Sequence, residues 1–214
     1  MFEMALAEQK MDEVIKRLEK LVDEQNAIVK ELENDNANLS KLASRERRQE
    51  ENFKTLENTI QEASNMIENI SSQSSQYLSD LANSELSSST KSDIQNSRIE
   101  MQNENYSNAN NLATNAQSGL NQMLEISQEI QSQFQDDTVK KMLRKLLALI
   151  QNLLYISKQQ EKLISETKNL RSRSPKLIDS ALQQDRILRQ NQQFMNQLVE
   201  LSKETFHISP QIAS

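Results

Sequence analysis

The chain has 214 residues, with 25 Lys and Arg against 31 Asp and Glu for a net charge of −6, and it contains no cysteine. That balance excludes a disulfide framework, thiolate chemistry and cysteine zinc sites, and it provides no chain-wide basic field of the kind that nucleic-acid binding requires. One glycine, two prolines and 4% aromatic residues suit long helices that each bury a narrow stripe, with disorder as the competing reading of the many Asn, Gln and Ser residues.

The first expected element is a heptad helix over residues 1–86. Every seventh residue from Met4 gives Met4, Met11, Leu18, Gln25, Leu32, Leu39, Glu46, Phe53, Ile60, Ile67, Ser74 and Leu81. A second stripe reads Val14, Leu21, Ile28, Asp35, Leu42, Gln49, Leu56, Ala63, Ile70 and Tyr77. One register throughout is the signature of helices that supercoil left-handedly, and it argues against disorder. Ile15, Val22 and Val29 widen the apolar face near the start, as in a bundle. Two stretches weaken the helix: NDNAN (34–38) is poor helix material, and SRERRQEEN (44–52) has no apolar residue. The expectation is a continuous helix with a loosened middle over 34–52, the alternative being a bend there.

A Ser-rich hinge is expected at 87–93, because Ser and Thr side chains compete with backbone hydrogen bonds. Ser92 with Gln95 forms a candidate capping box for a second helix over 94–135. The first half of that helix rests on Ala109, Ala113 and Ala116, so a partner helix can approach closely.

A two-helix unit follows over 138–206. Asp136 and Asp137 offer its N-cap, and Met142, Leu146, Leu149, Leu153 and Ile156 belong to a segment that is apolar on nearly every side, as in the centre of a bundle. RSRSP sets a turn at 171–175, with Ser174 as N-cap and Pro175 at the first helical position of the next helix. An extended tail is expected over 207–214.

Glutamine interrupts the stripes in a recurring way. Leu18 to Gln25, Leu42 to Gln49, Leu153 to Gln160 and Leu177 to Gln184 are each a Leu followed seven residues later by Gln, then by Glu, Asp or Asn. A core glutamine must find a polar partner or cost about 1–3 kcal/mol, and polar core positions select register and partner. Gln25, Gln49, Gln160 and Gln184 are the candidate interaction and register residues, the alternative being that some are solvated at the stripe edge.

Residues that carry chemistry are sparse. His207 is the only histidine, and ETFH (204–207) supplies one Glu-x-x-His where helical di-iron sites need two, so no metal, cofactor or catalytic residue is assigned and the chain is not expected to be an enzyme. RERR (45–48) and KKMLRK (140–145) are too short and too flanked by acid for nucleic acid. KKMLRKLLALIQNLLYI admits a second reading as a membrane-surface helix, basic at one end and apolar beyond it. The first seventeen residues contain no apolar core of a secretory signal, and the apolar tract Met142 to Ile156 is too short to span a bilayer.

The segment from Met142 to Ile212 resembles the C-terminal helical region of a family of large, uncharacterised, membrane-anchored bacterial proteins that continue as long coiled coils. The positions that carry the resemblance are Leu153, Leu154, Ile156, Ser157, Gln160, Glu161, Leu163, Pro175, Gln184, Ile187, Leu198, Leu201, Ser202, Gln211 and Ile212, while Asn196 and Gln197 depart from it. It implies a cell-envelope setting and no activity. With heptads starting almost at Met1 and the chain stopping just after Ile212, the chain is expected to be an excerpt of a longer protein.

These readings converge on an all-α fold, a long coiled-coil helix plus antiparallel helices forming an elongated bundle. The expected function is a non-catalytic scaffold or spacer whose partners are protein helices, in self-association or within a longer chain. The alternative is a membrane-active helical bundle that uses residues 139–156.

Overall fold

A computed structural model describes residues 2–34, 37–168, 170–171 and 174–205, and the described residues are helical apart from short connections. Six helices follow in order: α1 (Phe2–Leu32), α2 (Leu39–Ile67), α3 (Ser72–Ala82), α4 (Glu85–Gln102), α5 (Tyr106–Thr167) and α6 (Lys176–Thr205). The fold is all-α. The chain divides into two compact units, one from Phe2 to Asp137 and one from Thr138 onward.

The single heptad helix expected over 1–86 is instead three helices. Its first break falls at the Asn-rich segment: Asn34 donates from Nδ2 to the Lys30 carbonyl, and Asn38 caps α2 by accepting from the Lys41 amide at 3.0 Å. Asn side chains offer the backbone such alternatives to helical bonding, which is why the chain turns here. The second break is at Ser71, whose hydroxyl accepts from the Ser74 amide at the start of α3. The apolar-free SRERRQEEN does not bend; it lies inside α2.

The expected hinge at 87–93 is helical. Ser84, not Ser92, caps α4, and inside it Ser88 and Thr90 return their hydroxyls to the Ser84 and Leu86 carbonyls, which keeps the serine run compatible with helix. The second helix expected over 94–135 is interrupted at 103–105, where Glu104 adopts the left-handed region at φ 57° and the Asn105 amide reaches back to the Glu100 carbonyl. At 136–138 the expected new helix start is absent: α5 runs through. Asp137 accepts instead from Ser71 at 2.6 Å and from Gln133.

In the first unit the helices pack as four antiparallel columns, the third made of α3 and α4 end to end. Lys10–Glu62 and Arg45–Glu24 ion pairs tie α1 to α2, and Lys91–Glu57 and Arg98–Glu50 tie α2 to α4. Gln117 to Asn26 and Gln131 to Asp12 join α5 to α1. Between α4 and α5 the backbones approach closely at Gly119, where a Cβ would overlap Thr90. Buried Ala109, Ala113 and Ala116 continue that close seam.

In the second unit the end of α5 and α6 form an antiparallel pair. Ile156 and Leu163 pack with Ile187 and Phe194, and Leu149 and Leu201 line one groove farther along. Each helix contributes residues seven apart, the spacing of a single buried seam. The segment apolar on nearly every side is therefore not the centre of a bundle: Leu143, Leu146, Ile150 and Leu153 are exposed. The expected tail at 207–214, with His207, lies outside the described residues.

Candidate functional site

The core of the first unit is two apolar clusters. One holds Leu21, Val22, Phe53, Ile94, Ala116 and Leu120; the other holds Ile28, Val29, Leu42, Ala43, Met101 and Ala113. Between them three helices contribute polar side chains, Gln25 from α1, Glu46 and Gln49 from α2, and Ser97 from α4, all buried. The heptad stripe puts Gln25 and Glu46 where a leucine would otherwise stand, so the fold carries them into the core irrespective of polarity.

The layer is bonded across every column. Gln25 Nε2 donates to Glu46 Oε1 at 2.9 Å and to the Ala113 carbonyl of α5 at 3.2 Å. Gln49 Nε2 donates to the Leu21 carbonyl at 2.7 Å and to Gln25 Oε1 at 3.2 Å. Ser97 Oγ makes 3.2 Å contacts with Glu46 Oε1 and the Ala109 carbonyl. Because Ala113 and Leu21 offer carbonyls that only accept, they fix which end of each glutamine amide is nitrogen. Outside the layer, Arg45 pairs with Glu24 at 2.7 Å and with Glu31.

Burial pushes the Glu46 carboxyl up from 4.5 to about 7, while hydrogen bonds from Gln25 and Ser97 and the charge of Arg45 act in the opposite direction and Glu24 adds to the rise. Its Oε1 accepts from the layer, and its Oε2 is buried without a hydrogen-bond partner. A proton on Oε2 therefore removes the charge without breaking the bonds at Oε1. Chemically, the layer is a titratable clasp across four columns.

Of the four glutamines singled out in the sequence, the structure brings Gln25 and Gln49 into direct contact. Gln160 is half-buried on α5 and Gln184 is exposed on α6, so neither sits in a closed polar layer of this kind. Glu46 and Ser97 were not singled out. Glu46 had a signal, since it stands in the first stripe seven residues before Phe53; Ser97 had none, because its burial depends on where α4 lies against α2 and α5.

The second feature is on the α5–α6 pair. Leu143, Leu146, Leu147, Ile150, Leu153 and Leu154 of α5 are 41–57% exposed, and Leu188, Met195, Leu198 and Val199 of α6 are 38–54% exposed. Such a density of large apolar side chains in water is uncommon away from interaction surfaces. Among the described residues no cluster of His, Cys, Asp and Glu could hold a metal ion, and no helix is long and apolar enough to cross a membrane.

No family model, no curated protein and no solved structure matches this chain. The functional reading therefore rests on the layer and the open face.

Proposed function

We propose that the chain is a non-catalytic helical interaction module, in which a four-column bundle with a hydrogen-bonded polar layer fixes its own packing and the α5–α6 pair presents an apolar face for docking. The observation that carries the reading is the open apolar surface of the pair, from Leu143 to Leu154 on α5 and Leu188 to Val199 on α6. Leaving that much apolar area in water is unfavourable by about 25 cal/mol per Å², a cost that a docked surface recovers. The resemblance of residues 142–212 to membrane-anchored bacterial coiled-coil proteins adds a scaffold role and an envelope setting to this proposal.

The test is binding of an environment-sensitive apolar dye to the folded chain. Fluorescence enhancement by the wild type, lost on Leu146→Asp with Ile150→Asp while helicity by circular dichroism stays unchanged, supports an open docking face. No enhancement by the folded wild type would sink the reading, because the face would then be covered by the chain's own residues.

A further inference from the structure

Helical periodicity places the open apolar surface on one side of the α5–α6 pair. At 100° per residue, Leu143, Leu146, Ile150, Leu153 and Leu154 occupy an arc of about 100° on α5, displaced clockwise from the packed Leu149–Ile156–Leu163 stripe when viewed from the helix N-terminus. On α6, Leu188, Met195, Leu198 and Val199 are displaced in the same sense from the packed Ile187–Phe194–Leu201 stripe. Two antiparallel helices with the same rotational offset turn their arcs to a common face. Lys158, which is exposed, stands about 40° beyond the outer edge of the α5 arc.

Charge is divided just as sharply. Residues 138–214 contain 13 Lys and Arg against 6 Asp and Glu, net +7, whereas residues 1–137 contain 12 against 25, net −13. An apolar face on a basic unit asks for an anionic surface that is also apolar. A second copy offers one property at a time. Its α5–α6 face is apolar but belongs to an equally basic unit, and its first unit is acidic but exposes large apolar side chains singly, as Leu6, Tyr77 and Ile99 on three different helices. An anionic bilayer offers both, with charged headgroups for the basic unit and an acyl boundary for the leucines.

We propose that the α5–α6 face docks in the plane of an anionic lipid surface, without crossing it. This rests on the open face proposed above. Leu146, Ile150 and Leu153 enter the acyl boundary, and Lys158 stays at headgroup level, its apolar stem following the face.

The experiment is flotation of the full chain with vesicles of phosphatidylcholine alone and of phosphatidylcholine mixed with phosphatidylglycerol. The expected result is binding to the mixed vesicles, at least tenfold weaker binding to phosphatidylcholine alone, and loss on Ile150→Asp. Charge reversal by Lys158→Glu should weaken binding more than fivefold, since each basic residue near an anionic surface contributes roughly fivefold. Ile150→Ala, which leaves the helix intact, should weaken binding in the same direction if Ile150→Asp fails to fold. A folded chain that ignores mixed vesicles, or an Ile150→Asp chain that binds them as well as wild type, overturns the proposal. A dimer in light scattering that Ile150→Asp dissolves, without vesicle binding, assigns the face to a second copy; that outcome overturns the lipid surface and leaves the docking face standing. Absence of dye binding instead removes the face itself.

Discussion

Gln25 donates from its side-chain nitrogen to the Glu46 carboxylate at 2.9 Å, and neither residue is exposed. The bond joins α1 to α2 at the level where two apolar clusters meet. Polar groups in such a place are satisfied only when all columns stand in one register, so the layer penalises any slip of α1 against α2.

Glu46 makes stability pH-dependent in an unusual direction. Its folded carboxyl titrates near 7 against an ordinary 4.5, so the folded state holds a proton that the unfolded chain has released between those values. Stability from this group is fully present below 4.5, falls as pH rises, and levels off above 7, with a full span of about 3 kcal/mol. Denaturant midpoints from pH 5 to pH 8 should fall for the wild type, and Glu46→Gln should flatten the decline and be the more stable chain at pH 8. A wild-type profile that rises over that range would refute the assignment.

Replacing Gln25 by Ala should destabilise the first unit by about 1–3 kcal/mol, because Glu46 and Gln49 each lose a partner while staying buried. Gln49→Ala on top of Gln25→Ala should cost less than the sum of the two single changes, as members of one network do. Urea unfolding of the four chains measures the coupling; simple additivity would mean the glutamines act separately.

At Gly119 α5 comes close to α4. An alanine there would drive its Cβ into the Thr90 hydroxyl, which already donates to the Leu86 carbonyl at 2.7 Å. Overpacking of this sort costs about 1–3 kcal/mol and outweighs the helix-propensity gain of roughly 1 kcal/mol. Thermal melting should show Gly119→Ala lowered and Gly119→Ala with Thr90→Ala largely restored, since the obstructing hydroxyl and methyl are gone.

Glu104 holds a positive φ of 57° between α4 and α5. Glycine adopts that region freely, so Glu104→Gly should raise stability by about 0.5–1 kcal/mol despite the entropy glycine adds to the unfolded chain. A lower melting temperature would show that the exposed Glu104 side chain contributes more than its backbone geometry costs.

The Ser71 hydroxyl serves two ends at once, accepting from the Ser74 amide and donating to Asp137 at 2.6 Å. Ser71→Ala should cost about 1–2 kcal/mol, the range for an N-cap, and Asp137→Asn a smaller amount, because a neutral acceptor remains. Amide exchange at the start of α3 should accelerate in the first variant more than in the second.

The heptad stripes identified nearly the whole core of the first unit. Met11, Leu18, Gln25, Leu32, Glu46, Phe53, Ile60, Ile67, Ser74 and Leu81 are all buried, although they belong to three helices in place of one. The register carries across the Asn-rich turn because a helix that folds back must bury the same stripe as one that continues to meet a partner chain. Periodicity records which face is covered, and nothing in it distinguishes a distant partner from the next helix of the same chain. The breaks were legible only in part. NDNAN was visible as poor helix material, but the serine run at 87–93 misled, since its hydroxyls bond back into α4 once the helix is held by packing.

What the sequence determined by itself, then, is the helical class, the buried stripes and the presence of glutamines among leucines, because each follows from local spacing and side-chain chemistry. Tertiary structure decided the rest. It brought Ser97 and the Ala109 and Ala113 carbonyls, more than sixty residues away in sequence from Gln25, into one layer with Glu46. It also left Leu146 and Leu153 open where the sequence read a bundle centre, since α6 covers one seam of α5, through Leu149, Ile156 and Leu163, and a helix apolar on several sides needs more than one neighbour to close it.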